Sequence, residues 1–282
     1  MIIPEKIKTV LKEIIEDKKL INKNKRGRPC SSLDNIINGI LFFLINNTSW
    51  NEMNKTIFGN GKTLNYHFTK FSKAGVFQEL NSRILKNEFE NNKLDLSKIC
   101  IDSTNIKNRL GSNKDCLGKC YNDRGRLGTK ISLISDRRGI PITHCFFPCN
   151  TNDYSTVQET FQNYPSYFPE PSRKKPTYVL ADKGYDSESI RSFLRSKKFI
   201  PKIPMINKKK RKFKKVKNGK KYNPRYEYSL AVHDKDRNNI EMTFGILKNF
   251  KRLIMRYERK LIYYSSLCSL ACSIVILKRS KK

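Results

Sequence analysis

Within 282 residues, 58 lysines and arginines stand against 25 aspartates and glutamates, leaving a formal net charge of +33. A field of that strength attracts polyanions, so nucleic acid is the expected partner and no small-molecule substrate is expected. Because the charge is spread along the chain and not gathered on one amphipathic helix, a membrane-surface protein fits poorly.

No secretory signal is visible where Met1-Ile-Ile-Pro leads into a lysine-rich amphipathic helix. The longest apolar run, Leu261 to Leu277, holds four serines and falls short of the ~20 residues that cross a bilayer, so it reads as a core helix. Eight cysteines in such a chain predict free thiols rather than a disulfide framework. The expected location is the cytoplasm or nucleoid of a bacterial host, or the nucleus if the host is eukaryotic or the gene viral.

Residues 4–22 carry Ile7, Val10, Leu11, Ile14 and Ile15 at helical spacing, with Pro4 in the first-turn position. A basic linker containing Arg26 and Arg28 follows, polar enough to lie along phosphates. Ser32 opens a second helix through Leu44, and Ser49 caps a short helix from Trp50 to Phe58. After the Gly59-Asn-Gly61 turn, Lys62 to Ala74 forms a helix bearing Lys62, Asn65, His67 and Lys70. Short helix, glycine turn and polar helix make a helix-turn-helix pattern, and those four side chains are its candidate DNA contacts; an ordinary helical bundle with a polar face is the alternative. Val76 to Glu90 is a further helix.

The period then changes. Lys98 to Asp102 is a short β-run, 109–128 is a glycine- and asparagine-rich loop, and 129–135 alternates as a strand. The turn 136–139 leads to a returning strand from Ile140 to Phe147, and Tyr154 to Tyr164 is helical. Tyr178-Val-Leu-Ala-Asp182 is a buried strand ending in a carboxylate, followed by a helix over 187–196 and a short β-run near 199–204. Lys208 to Lys221 is almost wholly basic, with Lys208, Lys209, Lys210, Arg211 and Lys212 consecutive. Residues 238–277 are mostly helical, with a break near Arg259-Lys260. This order suits a mixed α/β sheet with flanking helices, residues 96–282, behind a small all-helical domain, residues 1–95. The basic stretch near 207–226 is an insertion in the larger domain.

Asp102 and Asp182 close their β-runs by the same grammar: apolar strand, Asp, then turn formers. Open sheets containing parallel strands place ligands at such strand ends. A third acid, Glu241, adjoins the apolar stripe of Ile240, Phe244 and Leu247 on its helix, with Arg237 and Lys248 near the same face. Taken singly, each acid reads as a cap or a solvated carboxylate. Together, three carboxylates are the ligand set that two-metal phosphoryl transfer requires, with Mg²⁺ (or Mn²⁺) as the expected pair of ions.

These blocks resemble the insertion-sequence DDE transposases with an RNase H-like catalytic core, of the type of insertion sequence family five. Ile101-Asp102-Ser-Thr is similar to that family's first block, Leu180-Ala-Asp182-Lys-Gly-Tyr-Asp186 to its second, and Arg237-x₃-Glu241-x₆-Lys248 to its third. Trp50, the stretch from Arg26 to Leu41 and the segment Phe71 to Phe77 resemble its DNA-binding region. The resemblance implies that Asp102, Asp182 and Glu241 hold the catalytic metals. It also implies that Arg237 and Lys248 contact the phosphates of transposon ends, and that a homodimer acts on two ends of double-stranded DNA and on target DNA. Where relatives often carry a tyrosine three residues before the arginine, this chain has Asp234.

The alternatives are a domesticated DNA-binding protein without catalysis and a metal-dependent nuclease without strand transfer. Cys116, Cys120, Cys145 and Cys149 have chelating spacing, but two of them end a predicted strand, so zinc is not expected. Cys268 and Cys272, one helical turn apart on an apolar face, are core residues. Asp186 is expected to cap the helix that follows it.

Overall fold

In the computed structural model, which describes residues 2–21, 31–109, 115–204 and 235–281, strand β1 (Lys98–Asn108) runs well beyond the expected end at Asp102. The second half of β1 is mostly polar and carries no clear alternation. It is held extended by its neighbour β3 (Arg126–Asp136), antiparallel from Ile99↔Asp136 to Lys107↔Gly128. The chain turns back through Gly139 into β4 (Pro141–Pro148), antiparallel to β3. Gly139 sits at φ +76, and a Cβ there would lie 2.6 Å from the Asn239 carbonyl oxygen, so the turn requires glycine on two counts. Strand β2 (Gly118–Cys120), in the segment expected to be a loop, pairs with the start of β3.

On the other side of β1 lies β5 (Tyr178–Leu180), followed by β6 (Ile200–Lys202), both parallel to it. Two residues of β7 (Met255–Arg256) pair in parallel with the far end of β1. The order across the sheet is β4–β3–β1–β5–β6, three antiparallel strands continued by two parallel ones. This is a mixed α/β fold with an RNase H-like sheet, as the sequence leads one to expect.

Nine α-helices are seen among the described residues: α1 (Glu5–Asp17), α2 (Leu33–Asn46), α3 (Lys55–Phe58), α4 (Gly61–Lys73), α5 (Val76–Glu90), α6 (Asp153–Gln162), α7 (Glu188–Ser196), α8 (Asn238–Lys248) and α9 (Leu261–Arg279). The helix expected from Trp50 to Phe58 is split. A 3₁₀ turn at Trp50–Glu52 ends at extended Met53, and Asn54 caps the single turn of α3 through its side chain. Between α8 and α9 the break is longer than expected, holding a 3₁₀ turn at Lys251–Leu253 and β7.

Helix α9 is long and apolar enough to cross a membrane by composition. It lies instead in the middle of the protein, with every residue from Ser266 to Leu277 buried. Serines at positions 266, 269 and 273 let α5 approach closely, and Asn81 Nδ2 donates to the Ser269 carbonyl at 3.4 Å. The apolar side chains of α1 to α5 join those of the sheet in one continuous core through this helix. Cys268 and Cys272 lie within it.

The expectation of free thiols is corrected at one pair. Cys120 and Cys149 form a disulfide, their Cα atoms 5.2 Å apart. β2 and β4 occupy successive stretches of one edge of β3, which brings both cysteines over Gly128. A Cβ on Gly128 would lie 2.6 Å from the Cys120 sulfur.

Candidate active site

The acids expected to work together come from three elements. Asp102 lies within β1, flanked by the buried Cys100 and Ile101. The parallel register sets Cys100 beside Leu180; carried two residues further, it brings Asp182 level with Asp102. The chain leaves β5 there, and the Lys183 N–H closes onto Asp182 Oδ1 at 2.5 Å.

Glu241 is delivered by α8, whose buried stripe of Ile240, Thr243, Phe244 and Leu247 seats it on the sheet. Two side chains lock that seat to the β3–β4 turn: Thr243 Oγ1 donates to the Gly139 carbonyl at 2.6 Å, and Asn239 Nδ2 donates to that of Arg137 at 2.8 Å. Just before the helix, Asp236 accepts from Lys98 Nζ at 2.6 Å, tying this segment to the start of β1.

Electrostatics records the convergence. Burial first, then the charges of Asp153, Asp182 and Glu241, push the Asp102 carboxyl up to about 6; the Ser103 N–H, donating to Asp102 Oδ1 at 2.8 Å, pulls the other way. Asp182 and Glu241 themselves are exposed. Arg237 Nη1 lies 3.5 Å from Asp182 Oδ1, so the arginine expected at a phosphate rests against one of the acids. Lys248 is exposed at the end of α8.

A fourth carboxylate went unread in the sequence. Asp153 opens α6 and points back at β1: its Oδ1 accepts from Ser103 Oγ and from Lys130 Nζ, each at 2.6 Å. Lys130 is itself buried and also donates to the Thr151 carbonyl at 2.5 Å. An acid in the first turn of a helix ordinarily reads as a partner of the helix dipole, and nothing in its local sequence distinguishes this one. Tyr185 is the other unread member. It is 1% exposed, its hydroxyl makes no closed hydrogen bond, and burial, then the Asp102 and Asp153 charges, hold its phenol well above the usual range.

Among the described residues, no three His, Cys, Asp or Glu side chains are drawn close enough to hold an ion as they stand. The donor chemistry fits a hard divalent cation all the same. The ligands on offer are carboxylate oxygens, and their mutual repulsion, registered at Asp102, is what a bound cation relieves.

Several other expected contacts fall elsewhere. His67 is 6% exposed, with its ring against Phe71, and burial lowers its pKa. It lies on the face of α4 that carries Leu64, Phe68 and Phe71 and does not present its ring to a duplex. Lys70 Nζ donates to the Leu20 carbonyl at 2.6 Å, anchoring the end of α1. Lys62 and Asn65 are exposed on α4. Arg26, Arg28 and the run Lys208, Lys209, Lys210, Arg211 and Lys212 lie outside the described residues, as does Asp234. Asp186 is not the cap of α7; it accepts from the Arg191 guanidinium at 3.0 Å. The four-thiolate alternative does not stand, since Cys120 and Cys149 are bonded to each other and Cys145 accepts from Asn163 Nδ2 at 2.8 Å.

Residues 93–276 match the model of the transposase DDE domain. A protein of Burkholderia cepacia assigned as the transposase for insertion sequence element IS402 is 28% identical over 160 residues, covering 54% of this chain and 64% of that relative. Among solved structures, the piggyBac transposase synaptic complex with hairpin DNA superposes with a TM-score of 0.49 at 11% identity, covering 98% of this chain and 73% of that one. The Mos1 transposase catalytic domain with raltegravir and Mn gives 0.28 at 10% identity, covering 63% and 90%.

Proposed function

This chain belongs to the DDE transposase family, and from that premise we propose that it is a DNA transposase which cuts the phosphodiester at the ends of a mobile element and joins the freed 3′-hydroxyl to target DNA. The observation that supports the reading is that Asp102 on β1 feels the charges of Asp182, just past β5, and of Glu241 on α8. These three would hold two Mg²⁺ or Mn²⁺ ions, which when bound acidify the attacking water or hydroxyl and stabilise the leaving oxygen.

The chain's own residues supply position and charge. The Ser103 N–H fixes one oxygen of Asp102, and Ser103 Oγ with Lys130 fixes Asp153 behind it. Arg237 is within reach to exchange Asp182 for a phosphate oxygen as a strand enters, and Lys248 extends the same positive edge. The basic segments containing Arg26, Arg28 and Lys208 to Lys212 would add phosphate contacts with a steep salt dependence, together with Lys62 and Asn65 on residues 1–95 as the DNA-binding region. Two ends must be joined in one event, so the working form is a homodimer on paired ends.

The test is strand transfer of labelled terminal-repeat DNA in Mg²⁺ or Mn²⁺, wild type beside Glu241→Gln. Joined product from the wild type alone is expected. DNA binding without metal-dependent chemistry, and with no difference between the two proteins, would refute the proposal.

A further inference from the structure

Away from the acids, at the far end of β1, five side chains form a continuous stack. Trp50 lies flat on Phe43, ring centres 3.7 Å apart and 11° from parallel. The Arg252 guanidinium carbon is 4.2 Å from the Phe43 ring centre and 4.4 Å from that of Tyr257. Arg109 closes the series, its guanidinium carbon 5.3 Å from the Tyr257 ring centre. The stack walls a cavity of about 400 Å³, within the ~300–1,000 Å³ typical of small-ligand pockets.

The charges around this cavity argue against a phosphate as its occupant. Arg252 is already engaged: its Nε donates to Glu258 at 2.8 Å and its Nη1 to Asn47 at 3.1 Å. Glu52 stands in the wall and would repel an anion. Arg109 alone among the residues lining it offers an exposed guanidinium, and two hydrogen bonds place it. Its backbone N–H donates to the Arg256 carbonyl at 3.2 Å, and its Nη1 to the Tyr257 hydroxyl at 3.4 Å. A flat aromatic group with a hydrogen-bonding edge matches this environment: its face continues the stack on Arg109, and its edge meets Ser49 and Glu52. The seven residue steps from Asp102 along β1 to Arg109, just past its end, put the cavity roughly 20 Å from Asp102 at ~3.3 Å per residue, too far to share the chemistry.

We propose that this cavity captures one unpaired base of a DNA strand, stacked on the Arg109 guanidinium. The inference rests on the reading that the protein handles DNA ends. It adds a second point of hold on a strand, away from the phosphate being cut.

The full chain is titrated against two probes: a blunt duplex, and the same duplex with a short single-stranded tail containing 2-aminopurine, whose fluorescence falls on stacking. Wild type should quench the tail and prefer the tailed probe. Arg109→Lys keeps the charge and loses the planar face. It should bind the blunt duplex as before, lose the quenching, and bind the tailed probe roughly tenfold more weakly. Quenching that survives in Arg109→Lys, or an equal loss on both probes, overturns the proposal. Failure of the wild type to bind either probe would remove the DNA reading together with this one.

Discussion

Replacing Asp102 by asparagine should abolish catalysis and at the same time stabilise the fold. The Asp102 carboxyl is carried from an ordinary 3.8 up to about 6 by burial and by the charges of Asp153, Asp182 and Glu241. Ionising it in the native state therefore costs ~3 kcal/mol at ~1.4 kcal/mol per pH unit. Asparagine keeps an oxygen for the Ser103 N–H, which now donates to Asp102 Oδ1, and removes the charge. Its new amide must find partners in the same crevice, which reduces the expected gain to ~1–3 kcal/mol. The sign with pH follows from the raised folded value. Below the unfolded value near 4 both states carry a neutral Asp102 and the two proteins should differ little; the gap opens as pH rises and is complete above about 6. Urea unfolding at pH 7.5 and at pH 4 measures it. A divalent cation should stabilise the wild type at pH 7.5 and narrow the gap. A variant less stable than wild type at pH 7.5, or equally shifted at both pH values, would refute the account of a carboxylate destabilised by burial and by its acidic neighbours.

Three further outcomes are expected. Gly128→Ala should cost at least ~1–3 kcal/mol in thermal unfolding, because its Cβ would stand 2.6 Å from the Cys120 sulfur and 2.7 Å from the Ile106 carbonyl oxygen. Cys120→Ser should lower stability by ~3 kcal/mol under oxidising conditions, and dithiothreitol should bring the wild type down to the same midpoint. Arg256→Ala removes a fully buried guanidinium that donates to Asp115 Oδ1 at 2.6 Å and to Thr129 Oγ1 at 2.8 Å. A loss of ~3–5 kcal/mol in urea unfolding follows, towards the lower end because Asp115 is about half exposed.

The acids at 102, 182 and 241 stand out in the sequence because each follows or adjoins an apolar pattern of fixed period, although β1 continues past Asp102 to Asn108. Asp153 was not legible: its role depends on where β4 ends relative to β1, and only the pairing across β3 sets that. The same cause hid the long β1, whose polar second half is a strand only because β3 holds it, and β7, whose two residues are too few to leave a pattern. His67 is a different case. Three residues after Leu64 and four before Phe71, it falls on the buried face by simple helical spacing, which outweighs the polarity of its ring. The disulfide was hidden for want of any local signal, since its cysteines are 29 residues apart and meet only over Gly128.

The central position of α9 has a consequence for how the protein is made. The face of α5 that packs on α9 is complete at Glu90, yet α9 begins only at Leu261. At ~5–20 residues per second of synthesis, the N-terminal helices wait roughly 10–30 s for the element that closes their core. Throughout that interval the face of α5 carrying Gln78 and Asn81, which hydrogen-bond to Ser266, Ser269 and Ser273 of α9, lacks its final partner and is open to chaperones. A nascent chain stalled before residue 261 should therefore be cleaved readily within α5, whereas release of the whole chain should protect it. A protein arranged in this way withholds its finished core until the acids at 102, 182 and 241 have also been synthesised.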